Sequence, residues 1–323
     1  LPAGKATFLA HCSMPTAALI VALVALALLL ANWVGYPLVV AAIARRRRAE
    51  PPAGTAGAGG ADTRQAAPVT VVIATRDQPD VLVRRVDNIL SGDYPAGLVR
   101  VIVALDAQAA VTVDELQAAL GDRATVLRGD APGGKAAALN AGVRAATTEL
   151  LVLADSHQTF NAPAIGRLVR FLDDQRYGAV SGAVHQQSGD RIVDLYWRYE
   201  LLIRRGQTAI HSIVSTSGQI CGMRRSLWTP LPAGLICDDL YVTMQLVLRG
   251  YRVGFCEGAT ATDPRSFTKP QHFQRKVRTL TGLFQFVSWM PAVLVPGRNP
   301  IWIHFVFHKL MRFVTPYLLL LAA

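Results

Sequence analysis

The sequence predicts an α/β fold with a parallel sheet, preceded by a membrane-spanning helix. Apolar residues are concentrated at the two ends of the 323-residue chain, and strand-like and helix-like segments alternate between them. Alternation of this kind indicates parallel strands covered by helices on both faces. Ligands bind beyond the carboxyl ends of the strands in such sheets, so polar residues at those ends are the candidate site residues.

The first predicted element is a transmembrane helix over residues 17–44. This run is almost wholly apolar, and at 1.5 Å per residue it is long enough to cross a hydrocarbon core of about 30 Å. Four arginines, residues 45–48, follow directly and favour a cytoplasmic position for the rest of the chain. A cleavable signal peptide would carry its positive charges before the apolar run. We therefore expect an anchor in the inner (plasma) membrane and a cytoplasmic body.

Two flanking segments complete the N-terminal region. Residues 1–16 are interpreted as an N-terminus that includes vector-derived residues, because Met14 would make a natural start. Residues 45–67 begin with the arginines and then turn to Pro, Gly and Ala, a composition typical of a flexible linker.

The body of the chain then alternates between strands and helices. Apolar runs predict strands at residues 69–74, 99–105, 126–127 and 150–154, and helical spacing predicts helices at 81–90, 113–120 and 135–146. The later half is less regular, with a helix at 165–172, a strand at 179–184, a long helix at 192–210 and a glycine-containing loop and short strand at 215–225. Residues 283–295 resemble an interfacial helix, and residues 301–323 a spanning or half-spanning one.

Charge and cysteine content narrow the possible partners. A net charge of +11 calls for an anionic partner, which could be nucleic acid, lipid headgroups or a phosphorylated substrate. No nucleic-acid-binding signature is present, so we expect the membrane and a phosphorylated substrate, and no nucleic acid. The four cysteines, at positions 12, 221, 237 and 256, form no C-x-x-C pair, which argues against a zinc knuckle and suits a reducing compartment.

Three aspartates stand at the ends of three long predicted strands. Asp77, Asp106 and Asp155 each follow an apolar run, and this pattern favours a nucleotide-type site. Asp155 and His157, two residues apart, could share one divalent cation. The alternative is that Asp155 caps the following segment and His157 is an ordinary surface histidine.

A glycine pair and a lysine begin the predicted helix at 135–146. Gly133 and Gly134 allow backbone N–H groups to meet a polar ligand, and Lys135 adds a cation. The segment is not a P-loop, because Ala136 offers no hydroxyl for magnesium.

Residues 68–282 resemble the membrane-bound inverting glycosyltransferases of family 2, which share the GT-A (nucleotide-diphospho-sugar transferase) fold of cellulose and hyaluronan synthases. The resemblance lies in the opening strand with its Thr75-Arg76-Asp77 loop, in Asp106, in Gly134-Lys135-Ala136-Ala137-Ala138-Leu139-Asn140, in Asp155-Ser156-His157 at the D-x-D position, in Cys237-Asp238-Asp239-Leu240 and in Arg275-Lys276-Val277-Arg278. It implies a Rossmann-like mixed sheet at residues 68–282, with the N-terminal transmembrane helix before it and interfacial and transmembrane helices at 283–323.

The resemblance also implies roles for individual residues. Asp239 is expected to be the general base, and Asp238 to act on it by like-charge repulsion or to begin the following helix. Asp155 and His157 are the expected metal ligands. Donor-binding roles fall to Thr75, Asp77, Asp106, Lys135, Arg275 and Arg278.

This chain departs from the family pattern at several places, among them Arg275, which stands for a glutamine. Asp106-Ala107-Gln108 replaces Asp-Gly-Ser, and His157 replaces a carboxylate, which makes Mn²⁺ somewhat more plausible than Mg²⁺. Thr279 stands where processive synthases carry a tryptophan, which argues against a processive polysaccharide synthase. A non-catalytic nucleotide-sugar-sensing scaffold is the alternative of another class.

The expected function is therefore sugar transfer with inversion. The donor would be a UDP- or GDP-linked sugar, and the acceptor a lipid-linked or other glycan at the cytoplasmic membrane face. The sequence leaves the donor sugar, the linkage and the oligomeric state open.

Overall fold

A computed structural model describes residues 16–47, 66–186 and 191–323, and the structural statements below concern these residues. Most of the predicted N-terminus (1–16) and most of the predicted linker (45–67) lie outside them. The first helix, α1 (Thr16–Leu30), continues through a π-helical segment (Ala31–Gly35) into α2 (Tyr36–Arg46).

The body contains eight strands and seven further helices. The strands are β1 (Val69–Thr75), β2 (Val99–Leu105), β3 (Thr125–Arg128), β4 (Leu150–Ala154), β5 (Thr159–Phe160), β6 (Tyr177–Gln186), β7 (Ile220–Arg224) and β8 (Arg252–Asp263). The helices are α3 (Pro79–Leu90), α4 (Val113–Leu120), α5 (Lys135–Ala145), α6 (Ala164–Phe171), α7 (Arg191–Ile210), α8 (Asp238–Leu248) and α9 (Lys269–Trp289). The predicted strands and helices of the first half therefore form close to their predicted bounds.

One sheet joins all eight strands in the order β3-β2-β1-β4-β7-β6-β8-β5. The first four strands are parallel, as the alternation predicts, with Val69 of β1 facing Val99 of β2 and Leu150 of β4. β7 then runs antiparallel to β4 and β6, and β8 pairs in parallel with β6. The mixed sheet implied by the family resemblance is confirmed, and the carboxyl ends of β1, β2 and β4 meet at one edge.

Apolar side chains fill both faces of the sheet. One core lies between the sheet and helices α3, α4 and α6, and includes Val71, Val103 and Val152. The other lies on the opposite face under α5 and α8, and includes Val72, Leu139 and Met244. Because neighbouring residues of β1 point to opposite cores, the strand is apolar on both faces from Val71 to Ala74 instead of alternating with polar residues.

Helix α9 crosses the boundary that the sequence suggests at residue 282. It runs unbroken from Lys269 to Trp289, so residues 283–289 belong to it and do not begin a separate interfacial helix. Gly282 does not end the helix but allows a close approach, since a Cβ there would lie 2.4 Å from Cys237 Sγ. The loop that precedes α8 is thereby packed directly against α9.

Among the residues that the structure describes, two helices are long and apolar enough to cross a membrane. They are Thr16–Arg46 and Trp302–Ala322, the second formed by α10 (Trp302–Phe305), a π-helical segment (Val306–Leu310) and α11 (Met311–Ala322). Only 17% of the most apolar window of each is buried, which is unlike the core helix of a soluble domain. α1 and α11 pack together through Ala25, Leu29 and Leu318.

Candidate active site

The first group of predicted site residues lies at the carboxyl ends of β1 and β2. Asp106 accepts hydrogen bonds from the backbone N–H of Gln108 and of Gly134, both at 2.9 Å, and pairs with Arg76 Nε at 2.9 Å. Burial alone would raise the pKa of Asp106, but these bonds outweigh it and hold the pKa below its usual value. Asp106 is therefore an ionised, fixed carboxylate beside the start of α5.

Gly133 and Gly134 make this arrangement possible. Their φ angles are +95° and +96°, in the left-handed region, and a Cβ on Gly133 would lie 2.7 Å from Asp106 Oδ1. The glycine pair therefore lets the chain turn sharply and bring the N–H of Gly134 to the carboxylate.

We expect Gly133→Ala to destabilise the protein by about 1–3 kcal/mol, the range for a residue held in a disfavoured backbone conformation. The matched control is Gly97→Ala, because the site of its new Cβ has no heavy atom within 4 Å. Thermal denaturation of the detergent-solubilised chain should give a clearly lower apparent Tm for the first variant than for the second. Equal melting temperatures would contradict this role of Gly133.

Asp77 forms the second predicted carboxylate and binds the Asp155-Ser156-His157 turn. It accepts hydrogen bonds from Thr75 Oγ1 at 2.9 Å and from Ser156 Oγ, and its Oδ1 lies 3.2 Å from His157 Nε2. Burial raises the pKa of Asp77, yet the hydrogen bonds from Ser156 and Thr75 and the adjacent His157 lower it overall. His157 thus contacts Asp77, while Asp155 points elsewhere.

Asp155 and Asp238 meet at the ammonium group of Lys135. Lys135 Nζ lies 3.0 Å from Asp155 Oδ1 and 3.3 Å from Asp238 Oδ2. Desolvation lowers the pKa of Lys135, but the two carboxylates outweigh it and raise the pKa above its usual value. Gly218 also lies close to the ammonium group, since a Cβ at this position would be 2.9 Å from Lys135 Nζ. The two carboxylates therefore converge on one positive charge.

The backbone carbonyl group of Asp155 accepts a hydrogen bond from a buried arginine. Arg85 is 2% exposed, donates from Nε to Asp155 O at 3.0 Å, and stacks on the Phe160 ring at 3.8 Å. The position of the Asp155 backbone is therefore fixed independently of its side chain.

Asp239 stands at the start of α8. Its Oδ2 accepts a hydrogen bond from Ser215 Oγ at 3.1 Å, and its Oδ1 one from the N–H of Leu240 at 2.8 Å. Its backbone oxygen accepts from Thr243 Oγ1 at 2.7 Å. A carboxylate in the first turn is also stabilised by the helix dipole. The side chain is thus held in one orientation with lone pairs left to accept a proton.

Arg275 and Arg278 approach the same region from α9, on the other side of the cleft. The Arg275 guanidinium stacks on Phe267 at 4.0 Å. Partial burial and the nearby Arg265 lower the pKa of Arg275, which marks a region of positive potential.

These elements enclose a cleft of about 350 Å³. Six of the ten predicted site residues line it: Lys135, Asp155, Asp238, Asp239, Arg275 and Arg278. The other four, Thr75, Asp77, Asp106 and His157, form the hydrogen-bonded group beside it. The prediction that Asp155 and His157 hold one metal ion stays a prediction.

The cleft also contains charged residues that the sequence reasoning missed. Asp263, at the end of β8, accepts hydrogen bonds from Gln158 Nε2 at 2.9 Å and from Arg265 Nη2 at 2.8 Å. Because Asp263 stands at the end of a strand, its position in the sequence could have identified it as a candidate site residue. Arg204, in the middle of α7, also lines the cleft, and no local pattern distinguishes it from the other arginines of that helix.

Comparison with known proteins decides the family. The profile of the family described as "Glycosyltransferase like family 2" matches residues 66–282. The chain belongs to glycosyltransferase family 2. As a member of that family it is a glycosyltransferase, which confirms the predicted class of enzyme. None of the curated proteins compared with it matches significantly.

Two solved structures were compared with this family 2 glycosyltransferase, and the first of them shares its fold. PcManGT from Pyrobaculum calidifontis, a mannosyltransferase solved with GDP-Man and Mn²⁺, has a TM-score of 0.71 and 22% identity, covering 94% of this chain and 84% of that chain. Glucosyl-3-phosphoglycerate synthase from Mycobacterium tuberculosis, solved with phosphoglyceric acid, has a TM-score of 0.47 and 15% identity, covering 69% and 79%. The likeness to PcManGT extends beyond the 66–282 segment to terminal helices and confirms the GT-A fold.

Proposed function

We propose that this glycosyltransferase moves a sugar, with inversion, from a UDP- or GDP-linked donor to a lipid-linked or glycan acceptor at the cytoplasmic membrane face. The observation that carries the proposal is that one cleft is lined by both carboxylates and cations. Asp239 is a fixed carboxylate, and Lys135, Arg275 and Arg278 supply the cations. PcManGT, which has the same fold, was solved with GDP-Man.

Each group then has a chemical role in the transfer. Asp77 and Asp106 hold the nucleoside, and Lys135, Arg275 and Arg278 attract the diphosphate. Asp239 takes the proton from an acceptor hydroxyl as that oxygen attacks the anomeric carbon from the face opposite the leaving group. The carbon–oxygen bond to the diphosphate breaks, and the nucleoside diphosphate leaves with the bonding electron pair.

The donor set of the cleft fits a divalent cation that is shared with the donor. Asp155 and Asp238 already converge on one positive charge at Lys135, and carboxylate oxygens suit Mn²⁺ or Mg²⁺. Within residues 16–47, 66–186 and 191–323, no group of three or more His, Cys, Asp or Glu side chains could hold a metal ion alone. We infer that Asp155 would hold this cation, and that His157, the predicted second ligand, would join it by turning away from Asp77. The cation would neutralise charge on the leaving group.

The position of Thr279 favours single transfer over processive synthesis. Thr279 lines the cleft, and its small hydroxyl side chain offers no ring on which a growing sugar chain could stack. We infer that the product grows by one sugar.

A panel of UDP- and GDP-sugars tests the proposal. With Mn²⁺ or Mg²⁺ present, we expect one nucleotide sugar to raise the apparent Tm of the solubilised chain, because ligand that binds only the folded state stabilises it. The same sugar should be hydrolysed slowly, with release of nucleoside diphosphate. If no nucleotide sugar binds or turns over with any cation, the chain acts as a scaffold and the proposal fails.

A further inference from the structure

A second cavity lies between α7 and the C-terminal helices, beside the active-site cleft. We call it the membrane-side cavity; its volume is about 210 Å³. Its lining includes Glu200, Arg204, Ser215, His308, Lys309 and Arg312. Trp197, Glu200 and Arg204 line both spaces, and Ser215 donates its hydrogen bond to Asp239. The inferred base is therefore one hydrogen bond from the wall of this cavity.

The charges around the membrane-side cavity do not balance. Its lining holds three cations, Arg204, Lys309 and Arg312, and one carboxylate, Glu200. Glu200 is already engaged, with Arg312 Nη1 at 2.5 Å and His308 Nε2 at 3.0 Å. In the part of the chain that the structure describes, Arg204 and Lys309 form no ion pair. Arg204 and Lys309 thus face the cavity without a salt bridge, and the carboxylate of Asp239 attracts both from beyond the cavity wall.

The surroundings of Arg204 are unfavourable for its charge. Burial lowers the pKa of Arg204, and the carboxylates of Glu200 and Asp239 offset this only in part. The guanidinium also lies 5.8 Å from the centre of the Phe255 ring. An anion in the cavity would compensate this buried charge.

The length of the first helix relates the membrane-side cavity to the lipid headgroups. The helix Thr16–Arg46 has 31 residues, so at 1.5 Å per residue it is about 46 Å long and exceeds a hydrocarbon core of about 30 Å. We assign this excess to the end of the helix that carries Arg45 and Arg46. Trp33 and Tyr36 then fall near the boundary, where aromatic residues are enriched. Arg312 stacks on Trp33 at 5.3 Å, and Gln207 Nε2 donates to the Tyr36 hydroxyl at 2.7 Å.

We propose that the membrane-side cavity binds the phosphate of an anionic membrane lipid whose hydroxyl-bearing headgroup is the sugar acceptor. Arg204 and Lys309 contact the phosphate, and the headgroup hydroxyl reaches Asp239. Asp239 lies close to the cavity wall. We therefore expect the lipid headgroup to have only a small group between its phosphate and the hydroxyl that reacts. The inference rests on the proposed function for the transfer step and adds the acceptor class.

Binding of soluble short-chain lipids to the full-length chain, without donor, tests the site. The probes are dihexanoyl phosphatidylglycerol, dihexanoyl phosphatidylcholine and inorganic phosphate, and the measurement is the apparent Tm as a function of concentration. We expect stabilisation by phosphatidylglycerol well below the concentration needed for the other two. Equal stabilisation by inorganic phosphate would assign a free-phosphate site, and equal stabilisation by phosphatidylcholine would remove recognition of an anionic lipid; either overturns the proposal.

Variants of Lys309 test whether the lipid binds in the membrane-side cavity. Lys309→Gln should raise the Kd for phosphatidylglycerol about tenfold or more, and Lys309→Arg should restore it, since both cationic side chains pair with phosphate. The matched control is Lys269→Gln, because Lys269 is exposed at the start of α9 and lines neither cavity. Unchanged lipid binding in Lys309→Gln would overturn the assignment.

Donor binding separates this inference from the proposed function. Lys309→Gln should leave the Kd for the nucleotide sugar within about twofold, because Lys309 does not line the active-site cleft. An equal loss of donor affinity would assign the cavity to the donor diphosphate instead. If the chain hydrolyses a donor but binds no lipid, the acceptor inference is wrong and the proposed function stands. If it binds lipid but hydrolyses no donor, the proposed function is wrong.

Discussion

Asp239→Asn is expected to lower the rate of sugar transfer by about a hundredfold or more, while the Kd for the donor stays within about twofold. Asparagine has nearly the same shape as aspartate, and its carbonyl oxygen can still accept a hydrogen bond from Ser215 or from the N–H of Leu240. The amide cannot take a proton at neutral pH, so only the proton-transfer role is removed. The measurement compares transfer to acceptor with donor binding in the same preparation.

A distant aspartate provides the control for this variant. Asp122→Asn makes the same chemical change at an exposed position in the turn after α4, so transfer should stay at the wild-type rate. Undiminished transfer in Asp239→Asn would remove Asp239 as the base. Loss of donor binding together with transfer would instead make Asp239 part of the donor site.

The strand ends were predictable because their positions follow from local sequence and one topological rule. β1, β2 and β4 are apolar runs that end at polar residues, and parallel pairing aligns their carboxyl ends, with Thr75 opposite Leu105 and Ile73 opposite Ala154. Asp77, Asp106 and Asp155 therefore meet at one edge, as the sequence predicts. The importance of the two glycines before Lys135 was also predictable from local sequence, because a turn with positive φ selects glycine.

The contacts between these residues could not be predicted in the same way. Lys135 reaches Asp238 only because α5 and α8 pack on the same face of the sheet, and no spacing in the sequence encodes that neighbourhood. Arg204 lies on a helix with several arginines, and only tertiary packing selects the one that faces the cleft. Long-range pairs of this kind depend on the fold and not on local pattern.

Ser156 makes a contact that the family pattern of its motif does not predict. The sequence singles out Asp155 and His157, yet Ser156 between them also donates a hydrogen bond to Asp77. The Asp155-Ser156-His157 turn is thereby joined to Asp77 by two of its three residues, while Asp155 faces Lys135. We infer that the turn links the position of the nucleoside to that of the diphosphate.

The polar residues around the membrane-side cavity could not be recognised in the sequence because of their apolar context. His308, Lys309 and Arg312 lie in or next to a run that hydropathy assigns to a membrane span, so they resemble isolated interruptions of it. The π-helical segment Val306–Leu310 alters the helical period there, and α7 supplies Glu200 and Gln207 from far away in the chain. Periodicity alone could not show that these residues share a cavity.

Asp155→Ala is expected to reduce release of nucleoside diphosphate from the donor by about a hundredfold or more, the typical loss when a group that stabilises transition-state charge is removed. The variant removes the predicted cation ligand and leaves Lys135 paired with Asp238 alone. Donor binding in the presence of Mn²⁺ should weaken as well, because the cation joins the protein to the diphosphate. Thermal stabilisation by donor, measured with and without Mn²⁺, reports this independently of turnover.

The fold should tolerate this change, which makes a loss of activity interpretable. Arg85 holds the backbone carbonyl of Asp155, a contact that alanine keeps, and the strand before it is buried in the sheet. Asp93→Ala, at an exposed position after α3, is the matched control and should behave like the wild type. Wild-type release of nucleoside diphosphate in Asp155→Ala at the same cation concentration would exclude Asp155 as a ligand. Release that falls equally with and without added cation would assign Asp155 to the positioning of Lys135, because its contact with that ammonium group needs no metal ion.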